Sequence, residues 1–123
     1  MAERSAFTAG RVLESVASFE RAAEAYELVA ERYPNGPHGA DARFNAGVLR
    51  QALAQPKRAI DHYQIYARRY RRTKRDAEEV AFRVAVVREE AGDQTRAESA
   101  FGEYVQSYPR GVHSLEAAVR FDP

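Results

Sequence analysis

An all-α solenoid of helix pairs is the fold predicted by this 123-residue sequence, on three observations. The chain repeats itself at spacings of 37 and 38 residues, each repeat holds two apolar stripes of helical period, and turn-forming residues separate the stripes. The repeat is visible in Phe7, Gly10, Val16, Ala17, Arg21, Ala22, Tyr26 and Tyr33. These fall over Phe44, Gly47, Leu53, Ala54, Arg58, Ala59, Tyr63 and Tyr70, and then over Phe82, Ala85, Ala91, Gly92, Arg96, Ala97, Phe101 and Tyr108.

The elements follow in order. A first helix is expected over 5–17 and a second over 19–33, where Ala22, Tyr26, Val29 and Tyr33 form one stripe. Pro34 biases Tyr33 away from helical geometry, and Asn35-Gly36-Pro37 turns the chain. Ala42, Ala46, Leu49 and Leu53 stripe a third helix over 39–54. Pro56 takes the tolerated first position of a fourth, over 56–70, striped by Ala59, Tyr63, Tyr66 and Tyr70. Val80, Val84, Val87 and Ala91 define a fifth over 76–91. Gly92 then reads as a helix stop and Asp93 as an N-cap, opening a sixth over 94–108 with Ala97, Phe101, Tyr104 and Tyr108. A seventh begins near Ser114. Small residues at Gly10, Gly47 and Ala85 on the first helices, and at Ala22, Ala59 and Ala97 on the second, let paired backbones approach with the aromatics alongside.

Composition narrows the class. The length suits one domain, and 45% hydrophobic residues with 30% charged exclude general disorder. No apolar run approaches the ~20 residues that span a bilayer, and Met1-Ala2-Glu3-Arg4 lacks the order of a secretory signal. Zero cysteines exclude disulfide scaffolds, thiolate metal sites and thiol nucleophiles.

The pattern resembles the tetratricopeptide repeat, a helix-turn-helix unit of about 34 residues with small eighth and twentieth residues, an aromatic twenty-fourth and a proline at the thirty-second. Counting from Glu3 puts Gly10, Ala22, Tyr26 and Pro34 on those positions. Counting from Ala40 gives Gly47, Ala59 and Tyr63, with Arg71 in place of the proline, and counting from Glu78 gives Ala85, Ala97, Phe101 and Pro109. The resemblance implies repeats over 3–34, 40–71 and 78–109, the start of a fourth over 114–123, and a right-handed α-solenoid. Two departures stand out: longer inter-repeat loops, and Arg43 and Arg50 where the common form has large apolar groups. The Tyr-Pro-x-Gly endings at Tyr33 and Tyr108 are similar to a long-repeat branch in bacterial cell-envelope proteins, such as TolA-binding proteins and lipoproteins of outer-membrane assembly. Membership there would make the chain a portion of a periplasmic or outer-membrane-associated protein; otherwise it is expected to be cytoplasmic. Gly36-x-His38 recurs as Gly111-x-His113.

The resemblance also implies a concave face, lined by the first helix of each repeat, that binds a partner peptide or protein. The residues on it are Arg4, Phe7, Arg11 and Glu14; Asp41, Phe44, Val48 and Gln51; and Glu79, Phe82, Val86 and Glu89. The family's carboxylate-clamp lysine and asparagine are replaced here by phenylalanine and by Arg11, Val48 or Val86. The three phenylalanines are either an apolar strip for a partner or packing within the superhelix.

The net charge of +1 hides an internal polarity. Residues 1–41 sum to −3, 42–75 to +9 and 76–123 to −5. The densest basic stretch is Arg68, Arg69, Arg71, Arg72, Lys74 and Arg75. It reads either as a solvated loop beside a helix C-terminus or as a docking patch for an acidic partner or anionic membrane surface. The acidic flanks oppose nucleic acid. Acidic ends of one molecule packing on the basic middle of another would make a homo-oligomer, the alternative function.

No enzyme chemistry is expected. The sequence shows no phosphate-cradling loop, nucleophile elbow or paired-histidine motif. His38 and His113 lie two repeats apart and His62 sits on another helix, so no metal, cofactor or small-molecule substrate is implied.

Overall fold

The computed structural model describes residues 2–70 and 74–121, without the side chains of residues 74 and 75. These residues form seven α-helices and no strand: α1 Glu3–Ser15, α2 Phe19–Arg32, α3 Gly39–Ala52, α4 Pro56–Arg69, α5 Lys74–Glu90, α6 Gln94–Ser107 and α7 Ser114–Phe121. This is the all-α, solenoid-like architecture expected from the repeat.

Two compact units divide the chain, Met1–Tyr70 and Arg71–Pro123. In the first, α1 packs on α2, α2 on α3 and α3 on α4; in the second, α5 packs on α6 and α6 on α7. Ala22, Ala23, Tyr26, Val29 and Ala30 of α2 meet Ala6 of α1 and Ala42, Ala46 and Leu49 of α3 in one core. Ala97, Phe101 and Tyr104 of α6 meet Phe82 and Ala85 of α5 and Ala117 of α7 in another. The small–aromatic pairing is literal: a Cβ on Gly10 would come within 2.9 Å of the Tyr26 ring, and one on Gly47 equally close to Tyr63. Neither glycine leaves room for a side chain.

The intra-pair turns share one design. Ser18 N–H bonds to Leu13 O at 2.8 Å and Ala17 N–H to Glu14 O at 3.0 Å; Gln55 and Ala54 repeat this with Arg50 and Gln51, and Asp93 and Gly92 with Arg88 and Glu89. Each is a Schellman closure whose pivot needs positive φ. Gly92 adopts +83° freely, whereas Ala17 at 60° and Ala54 at 57° hold the same conformation against their Cβ atoms. This stop ends α1 and α3 two residues short of the expected 17 and 54. The Asp93 side chain accepts from Arg96 N–H, so it caps α6 as expected. Tyr33, Tyr70 and Tyr108 all leave helical geometry. Tyr70 does so with no proline after it, its hydroxyl bonding Pro34 O at 2.5 Å.

Candidate partner-binding groove

The first helices of the two leading pairs place Phe7, Arg11, Glu14 and Ser15 of α1 beside Asp41 and Asn45 of α3. With Tyr26 they line an open cleft of about 740 Å³. Phe7 is half-buried, while Arg11 and Asp41 are exposed and form no ion pair with another described residue. Tyr26 donates its hydroxyl to Glu14 at 2.9 Å. Burial, together with that carboxylate, pushes the phenol well above its ordinary range, so it remains a donor.

The same contact recurs in the second pair, where Tyr63 donates to Gln51 Oε1 at 2.7 Å. The third pair has Phe101 instead of a tyrosine, and Glu89 is taken over by Arg120. The Arg120 Nε lies 3.0 Å from both Glu89 oxygens, and its guanidinium lies 5.5 Å from the Phe101 ring centre.

The three phenylalanines pack against the second helices. Phe7 lies 5.5 Å from Tyr26, Phe44 lies 5.7 Å from Tyr63 and 5.3 Å from Tyr66, and Phe82 lies 5.9 Å from Phe101. Phe82 is buried, whereas Phe7 and Phe44 keep part of their rings in solvent; Val48, Gln51, Val86 and Glu89 are also partly exposed.

A clasp explains the repeated Gly-x-His. Glu3 accepts from His38 N–H at 2.7 Å, and the His38 ring stacks on Phe7 at 4.5 Å. Two repeats on, Glu78 accepts from Val112 N–H at 2.6 Å and from the Tyr104 hydroxyl at 2.7 Å, and His113 stacks on Phe82 at 3.9 Å. A Cβ on Gly36 or Gly111 would collide with the Glu3 or Glu78 carboxylate. Burial and Glu78 push the Tyr104 phenol up to about 12.

Arg68 is exposed, and Arg69 donates to Asn35 Oδ1 at 3.0 Å. Arg71, Arg72 and the side chains of Lys74 and Arg75 lie outside the described residues.

Sequence reasoning missed a polar cluster that joins α2, α3 and α4. Arg50, completely buried, donates to Glu27 from Nε at 3.0 Å and Nη2 at 2.7 Å, and from Nη1 to Glu20 and Gln55 at 2.8 Å each. His62 Nε2 lies 2.7 Å from Glu27 Oε2, and Arg43 Nη1 lies 3.1 Å from His62 Nδ1. Bidentate geometry on a fixed carboxylate is what a guanidinium needs to be tolerated inside a fold. The signal was present in Arg43 and Arg50 at apolar positions, with Glu20 and Glu27 seven apart on one face of α2. Arg50 and Arg58 both reach Glu27, so part of the basic surplus of residues 42–75 is neutralised within the first unit.

Among the described residues no group of three His, Asp or Glu side chains is placed to hold a metal ion, and no helix is long and apolar enough to cross a membrane.

This geometry of repeated helix pairs closed by small–aromatic contacts is that of a helical-repeat protein. The sequence model described as Tetratricopeptide repeat matches residues 41–73 and 79–111, more than half the chain, and the chain belongs to that family. Such repeats generally mediate protein–protein interaction and are typically non-catalytic. No curated protein matches the chain.

Proposed function

We propose that the chain is a non-catalytic interaction scaffold that binds a partner peptide or protein along its first helices. Its repeats run over 3–34, 40–71 and 78–109, with a fourth beginning at 114–123. The observation that carries this reading is the α1–α3 cleft, where the half-buried ring of Phe7 is flanked by the exposed charges of Arg11 and Asp41. An apolar floor with opposite charges at its edge suits an extended segment that buries one side chain and pairs its neighbours. Phe44, Val48 and Gln51 continue the candidate surface along α3 of the first unit, and Phe82, Val86 and Glu89 are the matching positions on α5 of the second, where Phe82 is buried. The Tyr-Pro-x-Gly endings favour service in a bacterial envelope assembly, with the chain then periplasmic or outer-membrane associated.

Selection from a random peptide library tests the groove. Wild type should enrich sequences that an Arg11→Glu/Asp41→Arg variant of unchanged circular dichroism no longer holds. Equal enrichment on both proteins removes the groove.

The segregation of charge supports a second reading, self-assembly of acidic ends on the basic middle, including Arg68 and Arg69. Light scattering separates the two, because self-assembly requires a mass that rises with concentration and falls with salt.

A further inference from the structure

The α1–α3 cleft holds more negative charge than its packing needs. Glu14 accepts from the Tyr26 hydroxyl at 2.9 Å, yet in the second pair the equivalent Tyr63 is served as well by the neutral Gln51, at 2.7 Å. The tyrosine requires an acceptor and not an ion. Asp41, on the facing helix, has its counterpart in Glu79 of α5, which Arg83 and His113 engage at 3.1 Å and 2.9 Å. Asp41 itself is exposed and, like Glu14, meets no cation among the described residues.

These two carboxylates stand on opposite walls of a cleft whose apolar surface is the Phe7 ring, with one base, Arg11, beside them. The ring is held in place by His38, stacked at 4.5 Å, and by Tyr26 at 5.5 Å. A purely apolar side chain seated there would take water from both carboxylates and give no hydrogen bond in return. An arginine lays its methylenes on the ring while its planar fork of N–H donors reaches an acid on each wall; a lysine brings the same charge without the fork. Arg11 opposes a bare cation but not one with an acid beside it. Side chains two apart in an extended chain share a face and recur about every 6.6 Å, against ~4.5 Å of helix rise between Arg11 and Glu14, so long side chains can match the two charges.

We propose that the occupant of the α1–α3 cleft is an extended segment of a partner protein carrying an arginine, seated on Phe7 and held by Glu14 and Asp41, with an acidic residue two positions away paired to Arg11. Resting on the groove reading above, this gives the partner its chemistry: the cleft selects by charge pattern, and Phe7 supplies the surface for the arginine stem. A second copy of the chain is a poorer source. Among the described residues its own pairings of arginine and acid at that spacing, Asp41 with Arg43, Arg88 with Glu90 and Arg96 with Glu98, lie inside helices, where residues two apart do not share a face.

Random peptides displayed on phage and selected on the full chain provide the probe. Wild type should enrich an arginine with an acid two positions away, and a synthetic copy of a selected peptide should bind at least ~10-fold more weakly once that arginine is replaced by alanine, and more weakly also with lysine. Glu14→Gln/Asp41→Asn protein, in which Tyr26 keeps an amide acceptor as Tyr63 does, should hold the arginine peptide and its alanine copy alike, with unchanged circular dichroism. Arg11→Gln should relax the choice of acid and keep that of arginine. Peptides that wild type enriches and the Arg11→Glu/Asp41→Arg protein loses, but with no favoured arginine, overturn the proposal and leave the groove standing. Equal enrichment on those two proteins removes the groove and the proposal with it. A mass that doubles with concentration in wild type and not in Glu14→Gln/Asp41→Asn puts a second copy in the cleft, which also overturns it.

Discussion

His62 of α4 holds Glu27 of α2 through its Nε2, at 2.7 Å, across 35 residues of sequence. The tautomer follows from the other ring nitrogen. Arg43 Nη1, which can only donate, stands 3.1 Å from Nδ1, so Nδ1 accepts and Nε2 carries the proton that Glu27 receives. The Arg43 Nε is buried without a partner among the described residues, so that side chain depends on the histidine for orientation. A second proton on His62 would set N–H against N–H.

The first prediction is a loss of stability on acidification. Burial lowers the affinity of His62 for a proton, opposed by Glu27 and reinforced by Arg43 and Arg50. The unfolded chain binds a proton near the ordinary value of 6.5 and the folded chain only below it, so stability falls as pH drops below that value. Glu27 acts in the same direction. Burial raises its carboxyl, but hydrogen bonds from Arg50 and His62 outweigh this and hold it below the ordinary 4.5, so its contribution is full above that value and lost as pH falls through the folded one. Urea midpoints from pH 7.5 to 5 should decline, and His62→Gln should flatten the part above pH 5. An unchanged slope in that variant would remove His62 as the cause.

Arg50→Ala strands Glu27 beside His62 with its main partner gone, and should destabilise the first unit by about 3 kcal/mol. Arg50→Met/Glu27→Leu removes both charges together and should cost clearly less than the two single changes summed. Chemical denaturation of the four proteins measures the coupling, and strict additivity would contradict the network.

Ala17→Gly and Ala54→Gly relieve the left-handed pivots of two turns. Each should raise stability by roughly 0.5 kcal/mol, the Cβ penalty less the added freedom of the unfolded chain. Gly92→Ala introduces the same strain and should cost about 1 kcal/mol. Thermal midpoints report the three signs, and a gain for Gly92→Ala would refute the strain argument.

Glu78→Ala withdraws the acceptor shared by Tyr104 and Val112. It should destabilise the second unit by about 1–2 kcal/mol and speed amide exchange at Val112. It should also bring the Tyr104 phenol down from about 12. Ultraviolet titration of the tyrosines follows the last effect, and an unmoved high phenol would deny Glu78 its part.

The helices were legible because their signals are local. Pro56, Gly92 and Asp93 act on neighbouring residues, and stripes such as Ala22, Tyr26 and Val29 declare a face by spacing alone. Phe7, Arg11 and Glu14 line one cleft, as residues spaced along a single face of a helix should. The clasp was half visible: the Gly-x-His loops repeated, but nothing local joined them to Glu3 or Glu78, some 35 residues earlier.

By itself the sequence determined the repeat, the helix order and the small–aromatic pairs, because periodicity and turn chemistry operate within a few residues. Tertiary structure decided the fate of the charges and of the apolar surface. Arg50 counted as one of ten basic residues in an exposed-looking surplus until Glu27 and Glu20, 23 and 30 residues away, enclosed it. Leu115 and Val119 share α7 with the buried Ala117, yet they stand 79% and 69% exposed. Whether a side chain is paired or bare depends on what packs across from it, and no local pattern carries that information.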